Sequence, residues 1–383
     1  MPFDVRDFPG ALPSERAAST RNRRLIAGWL FTICAMILVM VVLGGVTRLS
    51  GSGLSIMQWA PVTGIVPPLS HAAWEKLFAL YKSIPQYQLL HAGFGLDGFK
   101  RIFWLEWVHR FWGRLLGLAF FAPLVWFWAT GRLERRLRPL LALIFLLGGL
   151  QGAIGWFMVE SGFFPDSTSV SPFRLAIHLA LALALYGAIL WTALGLIRPA
   201  TVGMGAAARH VSLLRTALLV FAALLVLTIL AGSLVAGTHA GFEYNTFPLM
   251  EGRLVPANYA QLVPFVRNLY ANLAAVQFDH RLLATLTTAA AMVVVVLGLS
   301  RRQPGNVRMT VAALGLLVAM QFGLGVATLL MVVPVRLAAA HQANAVLVLT
   351  AALVAINAVR RRQVPHGRPL PAAGPILQSS GPG

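Results

Sequence analysis

W-L-E-W-V-H-R-F-W-G-R, residues Trp104–Arg114, opens an apolar run yet carries a carboxylate, Glu106, a histidine, His109, and two arginines, Arg110 and Arg114. On a helix Glu106 and His109, three residues apart, share a face. Ionisable side chains are costly in lipid, and those found there usually face a protein interior where they do work. Two questions follow: whether the surrounding run spans a membrane, and what its polar face meets.

Composition answers the first. The chain has 383 residues, 58% of them hydrophobic and 11% charged, with mean hydropathy +0.74; soluble domains average about 25% charged residues. Eight apolar runs approach the roughly 20 residues a spanning helix needs: 25–46, 103–129, 139–159, 173–197, 211–235, 271–299, 309–332 and 336–359. The fold class expected is an all-α integral membrane protein with eight transmembrane helices. The short alternating strands of a β-barrel are not visible. A net charge of +19 would suit a nucleic-acid binder, but its placement argues otherwise. Nineteen of the 31 Lys and Arg fall in segments on one side of the runs, nine on the other, and Arg110, Arg114 and Arg281 within them. That bias is the signal of inner-leaflet loops, so the partner it indicates is the lipid bilayer, not nucleic acid, with both termini cytoplasmic. Cys34, the single cysteine, leaves no disulfide within the chain.

Residues 1–24 are polar and end in R-N-R-R. The apolar run that follows is too long for a cleaved signal peptide, so they read as a cytoplasmic tail. Asp4, Asp7 and Glu15 weigh against a mitochondrial presequence. A bacterial inner membrane is therefore the expected location and a mitochondrial inner membrane the alternative. Residues 199–210 read as an inner linker and 360–383 as a second cytoplasmic tail. The outer segments 47–102 and 236–270 are rich in Gly, Pro and aromatics and read as folded caps.

The opening stretch recurs. E-W-V-H-R at 106–110 matches Q-F-D-H-R at 277–281, G-L-Q-G-A-I-G at 149–155 echoes A-M-Q-F-G-L-G at 319–325, and F-R-L-A-I-H at 173–178 echoes V-R-L-A-A-A-H at 335–341. The first span ends L-G-G-V and the fifth L-A-G-S. Four spans thus repeat in order and in the same orientation. The repeat predicts two pseudo-symmetric four-helix bundles, 25–198 and 211–359, related by an axis along the membrane normal.

Of nine histidines, four lie in spans: His109, His178, His280 and His341. All are on helices that run inward, about five to nine residues from the outer end, a depth of roughly 8–14 Å. Each half therefore offers two imidazoles at similar depth, and two facing imidazoles in a bundle can supply both axial ligands of a heme iron. No Asp, Glu or Cys shares a repeat position with them to complete a metal-only set. Arg174 and Arg336, about one turn outward of His178 and His341, are candidate contacts for heme propionates, and Arg48 at the outer end of the first span is a third. His109 and Arg110 recur as His280 and Arg281 and read as shared heme-holding residues. One position does not recur: Glu106 in the first half is Gln277 in the second. A carboxylate beside a heme can act as general acid or base, or stabilise positive charge; a glutamine cannot carry a proton. The first half is thus expected to do chemistry and the second to hold a permanent heme. His71, His91 and His239 read as loop-packing residues, His210 and His366 as solvated ones.

At these residues the sequence resembles the heme A synthase family, in its cysteine-poor branch that includes the mitochondrial enzymes. The likeness covers nearly the whole chain. It rests on G-G-V-T-R-L-S-G-S-G-L-S at 44–55, F-W-L-E-W-V-H-R at 103–110, S-P-F-R-L-A-I-H-L at 171–179, Y-N-T-F-P-L-M at 244–250, V-Q-F-D-H-R-L at 276–282 and H-Q-A-N-A-V at 341–346. The resemblance implies oxidation of a ring methyl of heme O to a formyl group through hydroxylated intermediates, with oxygen from water and an external electron acceptor. It implies substrate heme at His109 and His178, a heme b cofactor at His280 and His341, and an essential Glu106. Heme O synthase and cytochrome oxidase assembly factors are the implied partners, and a homo-oligomer is left open. Gln58 and His239 depart from the branch, which has an acidic residue and an arginine there. Two other classes are open: a b-type cytochrome carrying electrons, which needs the same four histidines, and a heme transporter or chaperone, which needs the outer caps and arginines but no chemistry. Neither needs the Glu106/Gln277 asymmetry.

Overall fold

The structure is a computed structural model, which describes residues 13–197 and 207–359. In chain order its helices are α1 (Pro13–Leu49), α2 (His71–Tyr81), α3 (Pro85–Leu90), α4 (Leu96–Ala129), α5 (Leu137–Glu160), α6 (Pro172–Ile197), α7 (Ala207–Thr238), the single turn α8 (Asn268–Ala271), α9 (Leu273–Gly298), α10 (Gly305–Leu330) and α11 (Val335–Ala358). Eight of them, α1, α4, α5, α6, α7, α9, α10 and α11, are long and apolar enough to cross a membrane. Strands are absent among the described residues. Large apolar side chains cover the outside as well as the core, among them Leu118, Leu146, Val296 and Leu316, as suits a helix that meets lipid on one side and protein on the other.

Neighbour relations are the same in both halves. In the first, α1 packs on α4 and α6, and α5 on α4 and α6; in the second, α7 packs on α9 and α11, and α10 on α9 and α11. The halves meet through α6 against α7, α1 against α11 and α6 against α11. Tyr186 Oη and Thr350 Oγ1 share a 2.6 Å hydrogen bond across that interface.

Local chemistry sets several of these helices. Pro123, inside α4, has no N–H to give the carbonyl of Ala119; the indole of Trp29 on α1 donates to that carbonyl instead, at 2.9 Å. Trp112 Nε1 donates to Met36 O at 2.9 Å, so α1 and α4 are stapled in both directions. Asn272 caps α9, accepting from the amides of Ala274 and Ala275, and Ser70 caps α2.

Two elements run past their expected ends. Residues 13–24, expected as polar tail, are helical and continue α1: they are good helix formers, and Arg23 lies 3.3 Å from Glu134 between α4 and α5. α4 begins at Leu96, not 103, because Phe99, Ile102 and Phe103 bury against the first outer cap with Leu54, Phe78, Tyr81 and Ile84. The second cap gathers Tyr244, Met250, Ala274 and Phe278. Most of the linker expected at 199–210, and all of 360–383, lie outside the described residues; 207–210 open α7.

Candidate functional site

The four span histidines stand on α4, α6, α9 and α11, and they pair by half. His109 and His178 lie close enough to interact electrostatically, as do His280 and His341. Each of the four histidines is half-buried. Each also lies against a glycine of the neighbouring helix. A Cβ on Gly44 would stand 3.1 Å from His109 Nε2, on Gly155 2.9 Å from His178 Cε1, on Gly232 2.9 Å from His280 Cε1, and on Gly325 3.0 Å from His341 Cε1. Carbon contacts settle near 3.5–4.0 Å, so these four positions admit no side chain without moving a ring. One register difference separates the halves. By the L-G-G-V and L-A-G-S match, Gly232 corresponds to Gly45, which faces Gln342 of α11 rather than a histidine.

The rings are oriented by partners the sequence reading passed over. His280 Nδ1 lies 3.1 Å from the carbonyl of Thr228. A carbonyl only accepts, so Nδ1 carries the proton and Nε2 of the neutral ring keeps its lone pair, the form that ligates metal. Gln151 sets its amide nitrogen 3.2 and 3.3 Å from the two ring nitrogens of His178 and donates to His178 O at 2.9 Å. Gln321 stands at 3.2 and 3.3 Å from those of His341, its own orientation fixed by Asn344 Nδ2 donating to its Oε1 at 2.8 Å. Both glutamines lie at the same place in the repeat, and each is an isolated polar residue in an apolar span; that was the signal.

Glu106 is buried, with 2% of its surface exposed, and both its oxygens are engaged. Oε1 accepts from Arg110 Nε at 2.9 Å and Nη2 at 2.5 Å. Oε2 accepts from Ser55 Oγ at 2.7 Å and the Ile56 amide at 2.9 Å. Gln277 is equally buried and donates to Tyr244 O at 3.1 Å. Arg110 and Arg281 were expected to hold heme. Instead both turn to the caps: Arg110 donates to the carbonyls of Ile56 and Gln58, Arg281 to those of Tyr244 and Thr246. A recurring arginine beside a histidine looks like a ligand contact in sequence, because backbone carbonyls leave no mark there.

Of the arginines expected near propionates, Arg174 lies over the ring of Phe157, 3.7 Å from its centroid, and donates to Phe157 O at 2.6 Å. It lines a cavity of about 520 Å³ between the halves, with Asp166, Ser169, Ser171 and His239. Arg48 is half-buried and close enough to His239 to interact with it, while Arg336 is exposed. The loop histidines take different places: His71 and His239 are exposed, while His91 is half-buried. His91 Nδ1 is 2.6 Å from Tyr81 Oη, and its ring stacks on Phe94 at 4.2 Å. His71 pairs with Glu75 at 3.6 Å. His239 occupies a left-handed turn at φ 61°. Among the described residues no three His, Cys, Asp or Glu side chains gather into a metal-only site.

The sequence has relatives among known proteins. Residues 27–353 match the model of a family described as "Cytochrome oxidase assembly protein". The chain belongs to that family. Among similar proteins, the heme A synthase of Granulibacter bethesdensis is 56% identical over 346 residues, 89% of this chain and 88% of that protein. Heme A synthase 2 of Acidiphilium cryptum is 48% identical over 349 residues, 91% of this chain and 95% of that protein. The heme A synthase of Nitrosospira multiformis is 45% identical over 353 residues, 92% and 98% of the two chains.

Proposed function

We propose that this chain is a heme A synthase, oxidising a ring methyl of heme O to a formyl group for cytochrome oxidase biogenesis. The observation that carries the reading is the pair of bis-histidine constellations, alike in their glycine contacts, with a carboxylate above one and an amide above the other. His109 and His178 bind the substrate heme in 25–198. His280 and His341, with Nε2 of His280 freed by Thr228, suit a heme b in 211–359. That heme would supply one-electron redox chemistry when bound. Arg174, Arg48 and Arg336 remain candidates for carboxylate contacts at the outer rim.

The reaction converts a methyl group and one water to a formyl group, releasing four protons and four electrons through hydroxylated intermediates. An external acceptor takes up the electrons. Within this chain, Glu106 is the group above the substrate site that can take a proton or balance developing positive charge. Its Oε1 is committed to Arg110. Oε2 accepts from the Ser55 hydroxyl and the Ile56 amide, and proton uptake there requires the rotatable Ser55 hydroxyl to turn away. Gln277 preserves the cap contact in the other half without that capacity. The chain sits in a bacterial inner membrane with both termini cytoplasmic, alongside heme O synthase and oxidase assembly factors.

The test is the heme inventory of cells lacking this protein, read as pyridine hemochromes. Loss of heme A with accumulation of heme O supports the enzyme. Unchanged heme A would return the chain to the electron-carrier or transporter reading.

A further inference from the structure

After Ser55 the first cap does not stay above the bundle. It dips along α4, and three side chains one turn apart on that helix hold it. Glu106 binds Ser55 Oγ and the Ile56 amide. Arg110 binds Ile56 O at 2.6 Å and Gln58 O at 3.0 Å. Arg114 binds Ala60 O through Nη2 at 2.7 Å and Pro61 O through Nε at 2.8 Å. From Glu106 to Arg114 is eight residues, about 12 Å along the helix. Irregular backbone at such depth must have its polar groups satisfied by protein, and here the two guanidinium forks do so. The chain turns back at Gly64, where a Cβ would stand 2.8 Å from Arg114 Nη2. Trp59 leaves this strap to stack on Trp156 of α5, with centroids 6.2 Å apart and planes 13° apart. The strap therefore bridges the seam between α4 and α5. Its outer side is apolar and open, with Trp59, Val62 and Ile65 exposed.

The second half builds the upper part of this device and stops. Arg281 binds Tyr244 O and Thr246 O, and Phe247 meets Phe322 of α10. The position matching Arg114 is Thr285, whose hydroxyl bonds its own helix at Arg281 O. The difference follows from what each half holds. A permanent cofactor needs no door, whereas a substrate that arrives from the bilayer and leaves again does.

We propose that the strap Ser55–Ile65 is a lid on the α4–α5 seam, held shut by Arg114, across the path by which the substrate heme enters and leaves the first half. The proposal rests on the reading that the first half binds the substrate heme. Arg114 is a positioning residue: it touches the lid, not the reacting atoms.

The experiment measures heme capture by excess apomyoglobin from the purified protein in lipid nanodiscs, with the two hemes told apart by their spectra. The wild type releases the first-half heme in a fast phase and heme b in a slow one. Arg114→Gln, and independently Trp59→Ala, accelerate the fast phase about tenfold and leave the slow phase unchanged, which also shows that the fold is intact. An unchanged fast phase in both variants, or acceleration of both phases together, overturns the lid. A wild type that holds a single heme refutes the two-site reading beneath the proposal, an outcome distinct from either of these.

Discussion

Gly232→Ala puts one methyl group where the proposed cofactor site has no room for it. The new carbon would stand 2.9 Å from His280 Cε1, about 0.6 Å inside the closest ordinary carbon contact. Two responses are open. If the imidazole yields, Nε2 moves by a comparable amount, several times the roughly 0.2 Å by which a metal–ligand distance can vary. It also strains the 3.1 Å bond from Nδ1 to Thr228 O that fixes the tautomer. If α7 and α9 yield instead, overpacking costs about 1–3 kcal/mol, or about five- to 150-fold in an equilibrium constant. Either way the affinity for heme b falls at least about fivefold, so occupancy drops at free heme below the dissociation constant, and the low-spin bis-histidine spectrum weakens. Heme b per chain by pyridine hemochrome, with electron paramagnetic resonance for spin state, reads both. Gly195→Ala, where a Cβ meets nothing within 4 Å, is the control and changes neither. Full heme b with an unchanged low-spin signal in Gly232→Ala would refute the assignment of His280 as a ligand packed on this glycine.

Glu106→Gln gives the first half the residue of the second, so both hemes should bind at wild-type levels while formation of heme A falls by at least about a hundredfold; retained turnover would remove Glu106 from the chemistry. Tyr81→Phe strips hydrogen bonds from Gln86 Oε1 and His91 Nδ1 and should destabilise the first cap by about 1–3 kcal/mol, seen as a lowered melting temperature; an unchanged one counts against the network. Burial holds the pKa of His91 below the ordinary histidine value. Its neutral form is therefore favoured in the folded cap, and the stability this confers is present above about pH 6.5 and lost as pH falls below it. Hydrogen-exchange protection over residues 71–94, corrected for the intrinsic pH dependence of amide exchange, should fall on acidification, and less so in His91→Gln; equal protection at both pH values would contradict it.

Much of the molecule is legible in its sequence because lipid imposes a length and a polarity on each span. All eight helices and the four-span repeat follow from apolar runs, the recurring H-R and Q, and an arginine four or five residues before a histidine. What escapes is contact made through the backbone. Arg110, Arg114 and Arg281 grip carbonyls of Ile56, Gln58, Ala60, Pro61, Tyr244 and Thr246, and any residue type supplies a carbonyl. The same holds for Thr228, which orients His280 through its main chain rather than its hydroxyl. The glycines facing the rings were visible within repeated motifs, but only packing reveals that each keeps a distance for one imidazole. Trp29 filling the gap left by Pro123 is likewise a long-range contact that no local pattern announces.

The division of labour between the halves is tested most directly by extracting and separating the hemes from purified His178→Ala and His341→Ala proteins. His341→Ala should lose heme b and keep the substrate heme of the first half, whereas His178→Ala should do the reverse. If both variants lose the same heme, or both lose the two in equal measure, the assignment of one substrate site and one cofactor site to the two bundles is wrong.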